Sequence, residues 1–297
     1  EDYLNYRLKG TDRYYTGGLD CSFFYESKKK WFHTRLHHHK IKNTPVTFVS
    51  LRQITNTPSN IRIPGHVEND YPYASALFVT YGKLHIDTVR KFTVVSAIST
   101  GVIGPLALGE KIQRYFHKVV AYIQPEGWFS QLPNDFLLNY RFTVKKELLN
   151  LNHRLELIAI ADINAGYNFN NCKVGFLLRA GNNLNYFSLH ETAGFTTKKN
   201  AKGRFIFLIQ PQLTVVGYNA LLQGSLLNKG NKTQSSNVYT ISSSSINRFI
   251  YGFSFGIMYE TNFGGVSINQ HLQTKEFRQV QGHEYGDIGL VYKFKNK

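Results

Sequence analysis

Gln113 and His117 stand four residues apart within Gly101 to Leu132, GVIGPLALGEKIQRYFHKVVAYIQPEGWFSQL. That spacing puts both side chains on one face of a helix. Histidine has its ordinary pKa nearest neutrality, so it can act as a general base that takes a proton from water. A lone helix carrying a histidine, in a chain that otherwise reads as β-strand, suggests a site added to a barrel. A second stretch with usable chemistry is Thr11-Asp12-Arg13-Tyr14-Tyr15-Thr16-Gly17-Gly18, near Asp2 in sequence. It offers oxygen donors and backbone N–H groups, and hard oxygen donors suit Ca²⁺ better than zinc. Taken alone, it reads better as a β-connection, with glycine supplying turn geometry and Asp12 bonding its own backbone.

Other motifs carry less. Gly252-Phe253-Ser254-Phe255-Gly256 matches the G-x-S-x-G pattern of serine hydrolases, which needs a sharp strand-to-helix turn to expose the serine. Here Arg248 to Tyr251 before it and Ile257 to Tyr259 after it continue as strand. His37-His38-His39 lacks ordered spacing to other ligands and reads as a solvated turn, and no H-E-x-x-H, C-x-x-C or P-loop is present.

The elements that must hold these residues are mostly strands. Period-two alternation predicts twelve: Tyr3–Leu8, Gly18–Glu26, Val46–Thr55, Tyr73–Ile86, Lys91–Thr100, Leu137–Leu148, Arg154–Tyr167, Lys173–Arg179, Arg204–Leu222, Arg248–Glu260, Val266–Thr274 and Gly286–Phe294. Several are long for a soluble sandwich and suit tilted strands crossing a bilayer. Tight connections at Asn150–His153, Asn168–Asn171 and Thr261–Gly265 are expected at one end. Longer insertions around 56–70, 183–202 and 228–240 are expected at the other, as in transmembrane barrels. The expectation is therefore all-β: a transmembrane antiparallel β-barrel of about twelve strands, one domain over residues 1–297, with one helix beside the site. Within that helix Ile112, Phe116, Val119, Val120 and Ile123 form an apolar stripe expected to pack onto the barrel, with Gln113 and His117 at its edge.

Composition is compatible with this. Hydrophobic residues make up 42% and mean hydropathy is −0.29, too polar for a helical membrane protein, whereas barrel strands alternate and keep the mean polar. The net charge of +16 calls for an anionic neighbour, which a phosphorylated lipid or a polynucleotide would satisfy. No recognition helix, zinc spacing or RNA-binding aromatic motif favours nucleic acid. Lys28-Lys29-Lys30 and Lys198-Lys199 read as solvated turns, and pairing of Cys21 with Cys172 is not readable from sequence. The start at Glu1, without Met or leader, reads as a mature or trimmed form.

Taken together and in order, several pieces resemble the outer-membrane lipid A 3′-O-deacylase family. They are Asp2, Thr11 to Gly18, Gln53 with Thr57-Pro58, Tyr71-Pro72-Tyr73-Ala74, Gly101 to Pro105, Gly109, Gln113, His117, Gly127-Trp128, Gln131-Leu132, Glu276-Phe277 and Tyr285 to Ile288. The resemblance implies a monomeric barrel in the bacterial outer membrane, among its lipids, that removes the 3′-linked acyl chain of lipid A or lipopolysaccharide with Ca²⁺. It implies His117 as general base, Gln113 as a positioning residue, and Asp2 and Thr16 in the calcium and active-site shell. The backbone of the Asp12-Arg13-Tyr14 turn would supply an oxyanion donor. Two positions depart from the family: Glu1 stands where an Asn is usual, and Ile123 where an acid usually follows the histidine by six residues. The second departure motivates an alternative, a barrel that binds lipopolysaccharide or another lipid without hydrolysing it. A soluble basic β protein that binds nucleic acid is the remaining rival.

Overall fold

In the computed structural model, the residues described are 14–26, 46–188, 203–226 and 238–294, and Thr16 is described by its backbone alone. Eleven strands follow: β1 Tyr14–Glu26, β2 Val46–Thr57, β3 Ala74–Asp87, β4 Phe92–Ile103, β5 Asp135–Leu151, β6 Leu155–Gly166, β7 Phe169–Gly181, β8 Arg204–Asn219, β9 Phe249–Glu260, β10 Gly264–Gln273 and β11 His283–Tyr292. Each pairs antiparallel with its neighbour in sequence, giving one sheet in the order β1 to β11. The sheet curls until its edges meet: Tyr15 on β1 packs on Tyr285 of β11 at 4.8 Å between ring centroids. This is a nearly closed barrel. The strands at Gly18–Glu26 and beyond stand where alternation put them; the expected strand Tyr3–Leu8 lies outside the described residues, as do the His37–His39 and lysine turns.

Alternation also sorts the two faces. A cavity of about 500 Å³ inside the barrel is lined by Ser50, Arg52, Thr80, Asn139 and Arg141. The intervening side chains point outward and are apolar and exposed, among them Leu51, Val79, Phe136, Leu138, Phe253 and Ile257. That is the pattern of strands with water inside and lipid outside. No helix among the described residues is long and apolar enough to cross a membrane. Cys21 on β1 and Cys172 on β7 are free and exposed.

Both ends of the barrel are filled. At one end Tyr14, Tyr71, Ile241, Ile246, Phe277 and Val280 form a cluster built from the connections around 58–73, 238–248 and 274–282. Glu276 lies partly buried there, accepting a hydrogen bond from the Tyr71 hydroxyl at 2.9 Å, and desolvation raises its pKa. At the other end Phe187 packs with Val46, Leu84, Ile86 and Ile158, beside the buried Arg179–Glu156 ion pair at 2.6 Å.

The expected sorting of loops by length does not hold. Strand direction alternates, so the short turn between β6 and β7 falls at the same end as the insertions after β2 and β8, and the insertion after Gly181 falls with the short turns after β5 and β9. Parity along the chain sets the end at which a connection lies, and connection length does not enter.

Candidate functional site

The connection between β4 and β5 carries the candidate site. Gly104 ends β4 at φ +91°, a left-handed value that glycine adopts without a Cβ penalty, and its N–H bonds to the Ser75 carbonyl at 2.9 Å. A single 3₁₀ turn, Pro105–Ala107, leads into α1, Gly109–Val119. α1 is shorter than the apolar stripe suggests, and it presents a different face to the barrel. Its buried residues are Gly109, Gln113 and His117, one column at successive i, i+4 positions. Ile112, Tyr115 and Val119 are 47%, 73% and 66% exposed. The expectation that the apolar stripe packs the helix is therefore reversed. The reason is that the surface beneath is polar: Gln53, Thr55 and Ser75 point outward from β2 and β3 and are buried under α1 and its flanking turns.

That surface is tightly bonded. The Gln53 amide donates to Thr55 Oγ1 at 2.6 Å and Ser75 Oγ at 3.1 Å, and Ser75 Oγ donates to the Ile54 carbonyl at 3.1 Å. The first helical residue is glycine because the helix touches this floor: a Cβ on Gly109 would stand 2.4 Å from Ser75 Cβ and 3.0 Å from Trp128 Cη2. Trp128, fully buried, reaches back from the far side of the connection and donates its indole N–H to Gln113 Oε1 at 2.7 Å. Indole nitrogen can only donate, so the amide oxygen must face it and the Gln113 NH₂ points the other way. That nitrogen is buried and has no hydrogen-bond partner among the described residues. A buried orphan donor costs about 1–3 kcal/mol, and beside a histidine it is a natural place for a substrate oxygen or a water. Replacing Gln113 by Leu keeps the volume and removes this donor. It also removes the acceptor of the buried Trp128 indole N–H, which costs about 1–3 kcal/mol around α1. The barrel should still form by heat-modified gel mobility, while turnover falls about 10²-fold or more if the donor meets developing charge.

His117 is 2% exposed, and its Nδ1 lies 2.5 Å from the main-chain oxygen of Ile123. The helix end makes that contact possible. Ala121 turns left-handed at φ +52°; its N–H bonds back to the Lys118 carbonyl, and the Tyr122 N–H bonds to the His117 carbonyl at 2.8 Å. This is a Schellman closure, and it swings residue 123 back alongside the histidine. Tyr122 lies edge-on to the imidazole at 5.3 Å between centroids. A carbonyl can only accept, so in the neutral ring the proton sits on Nδ1 and the lone pair on Nε2. The group that orients the histidine here is a backbone oxygen, which any side chain at position 123 would present.

Of the other residues named from sequence, Asp2, Asp12 and Arg13 lie outside the described residues. Thr16 is the extra residue of a β-bulge: Tyr15 pairs with Asn56 and Gly17 with Thr55, leaving Thr16 unpaired beside the floor strand on which α1 rests. Tyr14 has φ +70°, an unusual value for an aromatic residue, and its buried ring stacks on Tyr71 at 4.6 Å. The backbone of Thr16 thus lies on β1 beside Thr55, a buried floor residue of β2, while the Tyr14 side chain goes into the mouth cluster. Among the described residues no three His, Cys, Asp or Glu side chains come together as a metal cluster, and the oxygen that residue 123 offers is taken by His117. Trp128, Ser75 and Gly109 were not assigned a role from sequence; a glycine at the first turn of an otherwise regular helix was the one available sign of close approach.

The G-x-S-x-G serine also acquires partners. Ser254 lies mid-strand in β9, its Oγ 2.7 Å from His271 Nδ1, with Asp287 Oδ2 2.5 Å from Nε2 of the same ring. Nucleophile, base and acid are aligned, but β9 is bonded on both sides, by β8 and β10, so the backbone N–H groups around Ser254 are spent in ladders and cannot stabilise an oxyanion. The row faces the barrel interior, on the other side of the wall from α1. Ser254→Ala should leave ester hydrolysis unchanged, and labelling with a fluorophosphonate should not depend on Ser254.

Comparisons with known proteins bear on the family and the fold. No curated protein matches the chain. Among solved structures, LpxR from Salmonella typhimurium superposes with a TM-score of 0.76 at 18% sequence identity, over 95% of this chain and 90% of that one, a likeness of fold. The family model described as outer membrane protein LpxR matches residues 2–294. A long-stranded barrel with an apolar outer face, carrying its helix on the outside of the wall, is what that match covers from end to end: the chain belongs to the outer membrane protein LpxR family and is an outer-membrane protein.

Proposed function

We propose that the protein is a lipid A-modifying esterase that removes the 3′-O-linked acyl chain, with His117 as general base. The observation that carries this reading is the placement of a buried imidazole, fixed through Nδ1 by the Ile123 carbonyl, between α1 and the outer surface of the barrel wall. Lipid esters lie on that side of the wall, and the barrel interior does not need to be open for them to arrive. Nε2 takes the proton from a water as its oxygen adds to the ester carbonyl carbon. The tetrahedral intermediate then collapses with cleavage of the bond between the acyl carbon and the sugar oxygen, and the imidazolium gives its proton to that departing oxygen, leaving a free fatty acid and a sugar hydroxyl. The Gln113 NH₂ is available to hold the water or the carbonyl oxygen. The backbone of the Asp12–Tyr14 turn is proposed as oxyanion donor, with Thr16 beside it. Dependence on Ca²⁺, with Asp2 as a ligand, belongs to the same proposal.

The test is mass spectrometry of purified lipid A incubated with the refolded protein. Loss of one acyloxyacyl unit from the 3′ position is expected, and chelation of Ca²⁺ should abolish it. An identical acyl pattern with and without active protein would favour a barrel that binds lipopolysaccharide without cleaving it.

A further inference from the structure

We infer that α1 lies in the boundary layer of the membrane, with Ile112, Phe116 and Val119 among acyl chains and Lys111, Arg114 and Lys118 in the layer of phosphate headgroups. At about 100° per residue the helix divides into three sectors. The buried column Gly109, Gln113 and His117 faces the wall. On one flank are Ile112, Phe116 and Val119, all exposed. On the other are Lys111 and Lys118, exposed, and Arg114, half-buried and paired with Glu110 at 2.9 Å. A soluble protein would turn the apolar flank inward; here both flanks are outward and of opposite character. A basic flank opposite an apolar one is the pattern of a helix lying in a lipid–water interface.

The occupant is argued from what adjoins the helix. Along β2 and β3 the floor residues Gln53 and Ser75 are followed on the same outward face by Leu51 and Val79, which pair across the strands and are exposed. Leu51 is two residues, or about 7 Å, from Gln53 along β2. α1 thus rests on β2 and β3 directly beside the exposed apolar band of an outer-membrane barrel. Phe129, 69% exposed in the turn that carries Trp128, extends the same surface. The basic flank supplies the charge that membrane phosphates complement. The membrane leaflet itself, and not a second protein, is the fitting partner.

The test uses the full chain with Cys21→Ser and Cys172→Ser, refolded into phosphatidylcholine–phosphatidylglycerol vesicles. Cysteine is placed singly at Ile112 or Lys118 and labelled with an environment-sensitive nitrobenzoxadiazole dye. Dye at 112 should emit to the blue of dye at 118 and be quenched several-fold more by acyl-chain spin labels; dye at 118 should be quenched more by aqueous iodide. Heat-modified gel mobility verifies folding, and Val119→Cys reports the same sector if Ile112→Cys does not fold. Equal iodide access at both positions would overturn the inference. So would a dye at 112 shielded from both quenchers in a particle of dimeric mass, which would show a second copy covering this face.

Discussion

His117→Ala should lower the rate of 3′-deacylation by about 10²–10⁴-fold, the range for removing a positioned general base. The loss should appear in kcat and leave KM nearly unchanged, since the imidazole acts on water and contributes little to holding the lipid. The wild-type rate should rise with pH as the ring loses its proton, and that limb of the profile should vanish in the variant. Ile123→Ala is the matched control. If the oxygen that orients His117 belongs to the main chain, truncating the side chain leaves the contact in place and activity stays within a few-fold. An Ile123→Ala variant as inactive as His117→Ala would show that the side chain, and not the carbonyl, sets the ring. Full activity in His117→Ala would remove the histidine from the mechanism.

Gly109→Val should reduce activity by about 10²-fold while the barrel survives, because an error of about 1 Å in a catalytic group costs that much. In an ordinary helix, replacing glycine stabilises by roughly 0.5–1 kcal/mol. Here the sign reverses. A Cβ at this position would stand 2.4 Å from Ser75 Cβ and 2.6 Å from Ser75 Oγ, and both are anchored in β3. The strand ladder cannot yield, so the helix must lift, carrying Gln113 and His117 away from the floor and straining the Trp128–Gln113 bond. Heat-modified mobility should be unchanged, since the strand pairing is not touched, while Trp128 becomes more accessible to an aqueous quencher. Gly109→Ala should show the same direction with a smaller loss. Wild-type activity in Gly109→Val would mean that the seat of α1 on the wall does not position the site.

Much of the site was legible from residue types and spacing. Gln113 and His117 share a face because helix geometry is local, and the strands emerged because alternation with period two is local as well. The acid missing at position 123 looked like a gap from sequence. The main-chain oxygen of the same residue contacts the imidazole, and main-chain atoms leave no trace in residue identity. The apolar stripe of α1 was correctly found and wrongly aimed, because hydrophobic patterning states which residues avoid water and is silent on whether protein or lipid receives them.

What the sequence alone determined is therefore the set of strands from the second expected one, Gly18–Glu26, onward, the alternation they carry, and the pairing of an amide with an imidazole on one helix. Each depends on neighbours within a few positions along the chain. What only the tertiary structure decided is that α1 sits outside the barrel with its polar column against Gln53, Thr55 and Ser75, that Trp128 fixes the orientation of Gln113, and that the end of the helix folds an oxygen onto His117. These contacts join atoms whose partners are chosen by barrel closure and by the path of the connection between β4 and β5, and no local pattern of side chains encodes either.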